Sequence, residues 1–167
     1  LRRQLGLVVV AYALFMFSFY FMINWSATMV VRQGGSDQLG ASVAAFLNLG
    51  GIAGGLLVGV IAATIPLKII VRAVMTAGAF SMVVFSIAPP LAFIVNAAAT
   101  VMGIFMFASS AAAYAVFAMA FPPQVRATGI GVVVTAGRLG SIFGPYAAGV
   151  LFEHGMGSTA ATFLLVI

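Results

Sequence analysis

The sequence predicts an all-α membrane protein, a six-helix bundle whose last helix is cut short. Three observations predict it. Of 167 residues, 64% are hydrophobic and only 5% are charged, and the mean hydropathy is +1.26. A soluble domain is about half apolar and about a quarter charged, so a water-soluble fold of this size would have too little interior for the apolar surface and too few charges to coat the outside. The apolar residues also fall in long unbroken runs suited to crossing about 30 Å of hydrocarbon, not in the short alternating segments of a transmembrane β-barrel. Pro, Gly and charged residues punctuate the runs.

The first expected span runs from about Leu5 to Val31 and carries Tyr12, Phe15, Phe17, Phe19, Tyr20, Phe21 and Trp25. It stops at Arg32-Gln-Gly-Gly-Ser-Asp37, a loop signal with two glycines and both charge signs. The second, from about Leu39 to Ile65, is crowded with glycine and ends at Pro66-Leu-Lys68. The third covers about Ile69 to Ala88 and stops at Pro89-Pro90. The fourth, about Leu91 to Phe121, stops at Pro122-Pro123 and is long enough to need tilt or a kinked end. The fifth runs from about Ala127 to Phe152, before a Glu153-His-Gly-Met-Gly157 turn. The sixth begins near Ser158 and breaks off at Ile167, and with Leu1 in first place the chain is expected to be one half-domain of a longer protein.

Loop charges orient the bundle. The side holding the N-terminus carries Arg2, Arg3, Lys68, Arg72 and Arg126, while the other side has Arg32 next to Asp37, and Glu153 with His154. The basic side is expected in the cytoplasm of a multi-pass protein, in a bacterial inner membrane. Seven scattered basic residues form no stripe, so the net charge of +5 does not point to nucleic acid. Cysteine is absent, which excludes disulfides, thiolate metal sites and a cysteine nucleophile. Glu153-His154 stands without a second His, so no metal, cofactor or enzymatic activity is expected.

Arg138 is the most informative residue. It lies about 16 Å along the fifth span, close to the bilayer midplane, where an arginine costs at least about 2.5 kcal/mol. Both carboxylates of the chain are in loops, so its anion is expected from another part of the protein or from a ligand, and a guanidinium binds a carboxylate through two parallel hydrogen bonds. A purely structural arginine, capped by carbonyls or an acidic helix, is the alternative. Thr135 and Ser141 flank it, and Gly137, Gly140 and Gly144-Pro145 permit close helix approach and a local break. Tyr20 and Asn24 share a face of the first span with Phe17 one turn earlier. Asn48 lies in the second span, among the small-residue pairs Gly50–Gly54, Gly51–Gly55 and Gly55–Gly59. Ser110 and Tyr114 share a face of the fourth. Trp25 reads as an interfacial anchor and Asn96 as a packing residue.

The stretch Phe121-Pro-Pro-Gln-Val-Arg-Ala-Thr-Gly129, then Gly131, then Gly137-Arg138-Leu-Gly140-Ser-Ile-Phe-Gly144-Pro145, resembles the major facilitator superfamily: its loop between helices ten and eleven, and helix eleven. The likeness is nearest to the aromatic acid:proton symporter branch, and Asn48-Leu-Gly-Gly51 is similar to that branch's helix eight. The resemblance implies that the spans are helices seven to twelve of the C-terminal half. A departure stands after Gly59, where Ala63 and Thr64 replace the Asp-Arg pair common between helices eight and nine. The family's proton-carrying carboxylates lie largely in the N-terminal half.

The resemblance and Arg138 together imply a secondary transporter, taking up a small organic anion such as an aromatic carboxylate with protons by alternating access against an N-terminal half. Arg138 would bind the carboxylate, with Tyr20, Asn24, Asn48 and Tyr114 lining the cavity and Arg126 at the cytoplasmic rim. Gly51, Gly55, Gly140, Gly144 and Pro145 would serve helix packing. The other reading is a non-transporting scaffold or receptor-like relative that keeps Arg138 for an internal salt bridge.

Overall fold

The computed structural model describes residues 2–153. The sixth expected span, 158–167, and His154 lie outside the described residues. Five α-helices follow one another: α1 (Arg2–Arg32), α2 (Asp37–Ile61), α3 (Leu67–Ile87), α4 (Ala92–Ala120) and α5 (Arg126–Glu153). Four of them, α1 from Gly6 onward and α2 to α4, are long and apolar enough to cross a membrane. α5 matches them in length, but Arg138 and its glycines dilute its apolar character.

The turns follow from local chemistry. α1 ends in a Schellman-type cap: Gly34 adopts φ +97°, a conformation open to glycine without strain. The Gly35 N–H bonds the Val30 carbonyl at 3.0 Å and the Gly34 N–H bonds that of Val31 at 3.0 Å, closing carbonyls the helix leaves open. Ser36 then caps α2, its hydroxyl accepting from the Leu39 N–H at 3.2 Å, and Asp37 places a negative charge in the first turn. Gln33 donates to the Ser86 carbonyl at 3.1 Å, tying this loop to the end of α3. α2 stops at Ile61, short of the expected Ile65, and a turn fills 62–64. Proline disfavours helical backbone in the residue before it, so Pro66 ends the helical run ahead of Ile65, which apolarity alone cannot show.

Successive helices alternate in direction, and the contacts show it. α1 and α5 run parallel, with Tyr12 beside Gly137, Ala13 beside Gly140, and Trp25 beside Gly149. α2 and α4 also run parallel and pack most intimately, Gly50 on Thr100 and Gly54 on Ile104. α3 lies antiparallel along α4, with Gly78 near Ser109. The main core, with Phe19, Met22, Leu47, Phe85 and Met102, joins α1 to α4 in the half away from the N-terminus. A smaller cluster of Tyr12, Met16, Ala113, Phe117 and Val133 joins α1, α4 and α5 below it.

Glycine decides the α2–α4 spacing. A Cβ on Gly50, Gly54 or Gly103 would strike the opposing backbone, and one on Gly51 would meet the Phe107 ring at 2.6 Å. Gly55, expected among the packing glycines, has nothing within 4 Å of its Cβ position, and neither has Gly59. The correction is one of helical phase. Gly50 and Gly54 are four apart and share the face turned to α4, whereas Gly55 is rotated about 100° from Gly54. Gly140 lies against the Ala13 backbone, and the surroundings of Gly144 lie outside the described residues. The local break expected at Gly144-Pro145 is absent: α5 continues through Pro145 to Glu153. Trp25 is more than an interfacial anchor, since its indole N–H donates to the Pro145 carbonyl at 3.2 Å and fastens α1 to α5. Asn96 accepts from the Ser42 hydroxyl at 3.0 Å, a packing contact between α4 and α2.

Candidate functional site

Arg138 sits twelve residues after the first residue of α5, Arg126, about 18 Å along the helix. Its side chain is exposed and stands on the rim of a hollow where three helices meet. Tyr12, Met16 and Tyr20 come from α1, Tyr114 from α4, and Val134 and Gly137 join Arg138 from α5. The volume is about 40 Å³. Such a space admits water and is too small to enclose an organic acid. Arg138 and Tyr114 are exposed beside it.

Aromatic rings pack against one another along this hollow. Tyr12 is 5% exposed. It meets Phe117 edge-on at 4.8 Å and 86°, and Tyr114 at 6.2 Å and 71°. Tyr114 meets Phe117 at 6.0 Å. Such T-shaped pairs contribute about 0.5–1.5 kcal/mol each beyond their area burial. On the other flank Tyr20 leans on Phe19, which touches Phe107, and Phe107 covers Gly51. A continuous run of rings therefore links α2 to the hollow.

Of the residues singled out in the sequence, Arg138, Tyr20 and Tyr114 come together at this hollow. Asn24 is one turn beyond Tyr20 and is exposed; its amide donates to the Tyr20 carbonyl at 2.8 Å. Asn48 is apart from the hollow, exposed on α2, and donates to the Ala44 carbonyl at 2.8 Å. Each of these amides donates to a carbonyl of its own helix. Arg126 is exposed, and its Nε donates to the Phe121 carbonyl at 3.4 Å, bracing the turn between α4 and α5. Gly129 supports the same turn, since a Cβ there would meet the Phe121 ring at 2.7 Å.

No carboxylate among the described residues pairs with Arg138. Asp37 begins α2 and Glu153 ends α5, both remote from the middle of α5. Among the described residues no group of His, Asp or Glu could hold a metal ion. Two site residues escaped the sequence reading. Tyr12 was one aromatic among many, yet it follows the same spacing of four, 12-16-20-24, that puts Tyr20 and Asn24 on one face. Gly137 matters because the Tyr12 ring lies against it, and that contact exists only once α1 and α5 are packed.

The sequence is 28% identical over 142 residues to the 3-(3-hydroxy-phenyl)propionate transporter of Escherichia coli (strain K12). This likeness meets the one drawn from the 121–145 stretch, to a transporter of aromatic acids. It covers 83% of this chain and 34% of the relative, so the chain spans about a third of that protein's length. No family model matches the chain.

Proposed function

We propose that this chain is the C-terminal half of a major facilitator transporter that carries a small organic anion across a bacterial cytoplasmic membrane by alternating access, with protons as the coupling ion. Its fold would be completed by a sixth helix and by an N-terminal half of six. The observation that carries the reading is Arg138: a cation halfway along a helix, exposed at a three-tyrosine floor, with no carboxylate partner among the described residues. A guanidinium in that position favours a carboxylate through two parallel hydrogen bonds, in a setting of low dielectric that strengthens them. The tyrosine rings offer flat apolar faces to an aromatic ring, and Tyr20 and Tyr114 offer hydroxyls to its substituents. The relative's substrate combines a phenyl ring with a propionate, which supports an aromatic carboxylate.

In this mechanism the half-bundle moves as one body, and the N-terminal half closes over the hollow from above. Arg138 holds the carboxylate, Tyr20 and Tyr114 hold the ring, and Asn24 extends the wall toward the outer end of α1. Asn48 would line the cavity further along α2. The proton would travel on a carboxylate of the N-terminal half.

Uptake of labelled phenylpropionate- and benzoate-type acids by cells expressing the full-length protein tests this. Uptake should collapse with an uncoupler. It should fall by about 100-fold or more in Arg138→Ala, the loss expected for removing one partner of a desolvated charge pair, and recover partly in Arg138→Lys. Wild-type uptake in both variants would remove Arg138 from the site. Uptake that persists with the uncoupler would remove proton coupling, and no uptake of any aromatic acid would remove that substrate class.

A further inference from the structure

Outside the hollow around Arg138, a second set of residues comes together where α3 begins and α4 ends. A groove of about 370 Å³ opens there between the two helices, lined by Leu67, Val71, Val116 and Met119, with Lys68 and Arg72 among its walls. Lys68 and Arg72 are one helical turn apart on α3, on a common face. Both are exposed. Neither has an ion-pair or hydrogen-bond partner for its charged group among the described residues. α2 begins at Asp37 and α5 ends at Glu153, so the two acidic residues of the chain belong to the other end of the bundle. α3 packs chiefly on α4 and turns Ile69, Phe80 and Ile87 outward, the surface of a helix at the lipid boundary. No side chain caps the first turn of α3, which leaves the positive end of its dipole open beside Lys68.

We propose that this groove binds an anionic phospholipid, with its phosphodiester headgroup held by Lys68 and Arg72 and an acyl chain laid between α3 and α4. The arrangement fits a lipid better than a soluble anion on two counts. Apolar walls continue from the cations along the helices, where a free phosphate would gain nothing. The cations stand within the first turns of a spanning helix, at the depth of headgroups, and both have long stems that bury apolar length while the charge stays in the interface. The consequence is an anchor on the outer helix of the half-bundle, on the side expected to face the cytoplasm, where anionic lipids concentrate.

Native mass spectrometry of the full-length protein in mild detergent, with phosphatidylglycerol or phosphatidylcholine added, reads this directly. Wild type should retain phosphatidylglycerol in preference to phosphatidylcholine. The pair Lys68→Gln and Arg72→Gln should lower retained phosphatidylglycerol about tenfold or more, the order set by two basic side chains at an anionic surface, and leave phosphatidylcholine unchanged. Val116→Trp keeps both cations and fills the groove, and should lower retention several-fold. The swap Lys68→Arg with Arg72→Lys should keep it, which separates loss of charge from loss of fold. Equal retention in the Gln pair overturns the site. Displacement of phosphatidylglycerol by millimolar inorganic phosphate overturns the lipid in favour of a soluble anion.

Discussion

Tyr12 carries more of the site than its place in an aromatic run implies. Its ring is boxed by Phe117 and Tyr114 and lies on Gly137. Gly137→Ala would put a methyl into that ring and within 3.1 Å of Met16. The ring has no room to swing away, so the substitution is expected to cost about 1–3 kcal/mol, read as a lower unfolding temperature in detergent, and to displace Arg138 with it. Ser26 is the opposite case. It is fully buried and its hydroxyl has no partner among the described residues. A buried hydroxyl without a hydrogen bond costs about 1–3 kcal/mol by mutational estimates, so Ser26→Ala should leave thermal stability unchanged or raise it. A clear drop would mean that the hydroxyl is bonded in the assembled protein. Arg138 was legible because a midplane cation announces itself by cost. Tyr12 and Gly137 were not, because their value lies in a contact 125 residues apart.

At the scale of the helix, the glycines of α2 separate into two classes. Gly54 and, across from it on α4, Gly103 set the distance between two backbones: an added Cβ meets the Ile104 and Leu47 carbonyls respectively. A backbone cannot rotate aside as a side chain can. Gly54→Ala and Gly103→Ala should each push α2 from α4 and destabilise by about 1–3 kcal/mol. Gly55→Ala meets nothing, and should stay within about 0.5 kcal/mol, as surface changes do. Thermal unfolding of the three variants side by side checks the assignment, and equal effects would refute it. The α1–α5 pair depends on a different fastener. The Trp25 indole reaches the Pro145 carbonyl, so Trp25→Phe should loosen the far ends of these helices at a cost of about 1 kcal/mol. Pro145 itself is accommodated without ending α5. One lost hydrogen bond at a proline is repaired in membrane helices by neighbouring side chains and helices.

For the whole molecule, the apolar surface is turned outward. Leu49, Ile52, Leu56 and Val60 form an exposed stripe on α2, and Leu139, Ile142, Phe143 and Tyr146 are exposed on α5. In water such surface would drive aggregation; against lipid or a partner bundle it is the natural exterior. Because the helices alternate, the α1–α2 loop and the α2–α3 loop must open on opposite sides. The sequence has no cysteine, so a single Ser36→Cys should react with an impermeant maleimide in intact cells, and Thr64→Cys only after lysis. The reverse pattern would invert the orientation, and labelling of both from one side would break the topology.

Composition and run length determined that the described chain is helical and membrane-type, because hydrocarbon admits only backbones that satisfy their own hydrogen bonds. The same one-dimensional cues located Arg138, Tyr20 and Tyr114, whose chemistry is costly or distinctive wherever they fall. Only the tertiary structure decided which glycines touch, that Pro145 leaves α5 unbroken, that Asn48 stands away from the hollow while Tyr12 floors it, and that Lys68 and Arg72 flank a groove. These depend on helix phase and on which helices are neighbours. Phase accumulates at about 100° per residue, so two glycines one position apart face different partners. Neighbourhood among apolar helices is set by shape, which the order of residues along a single helix does not display.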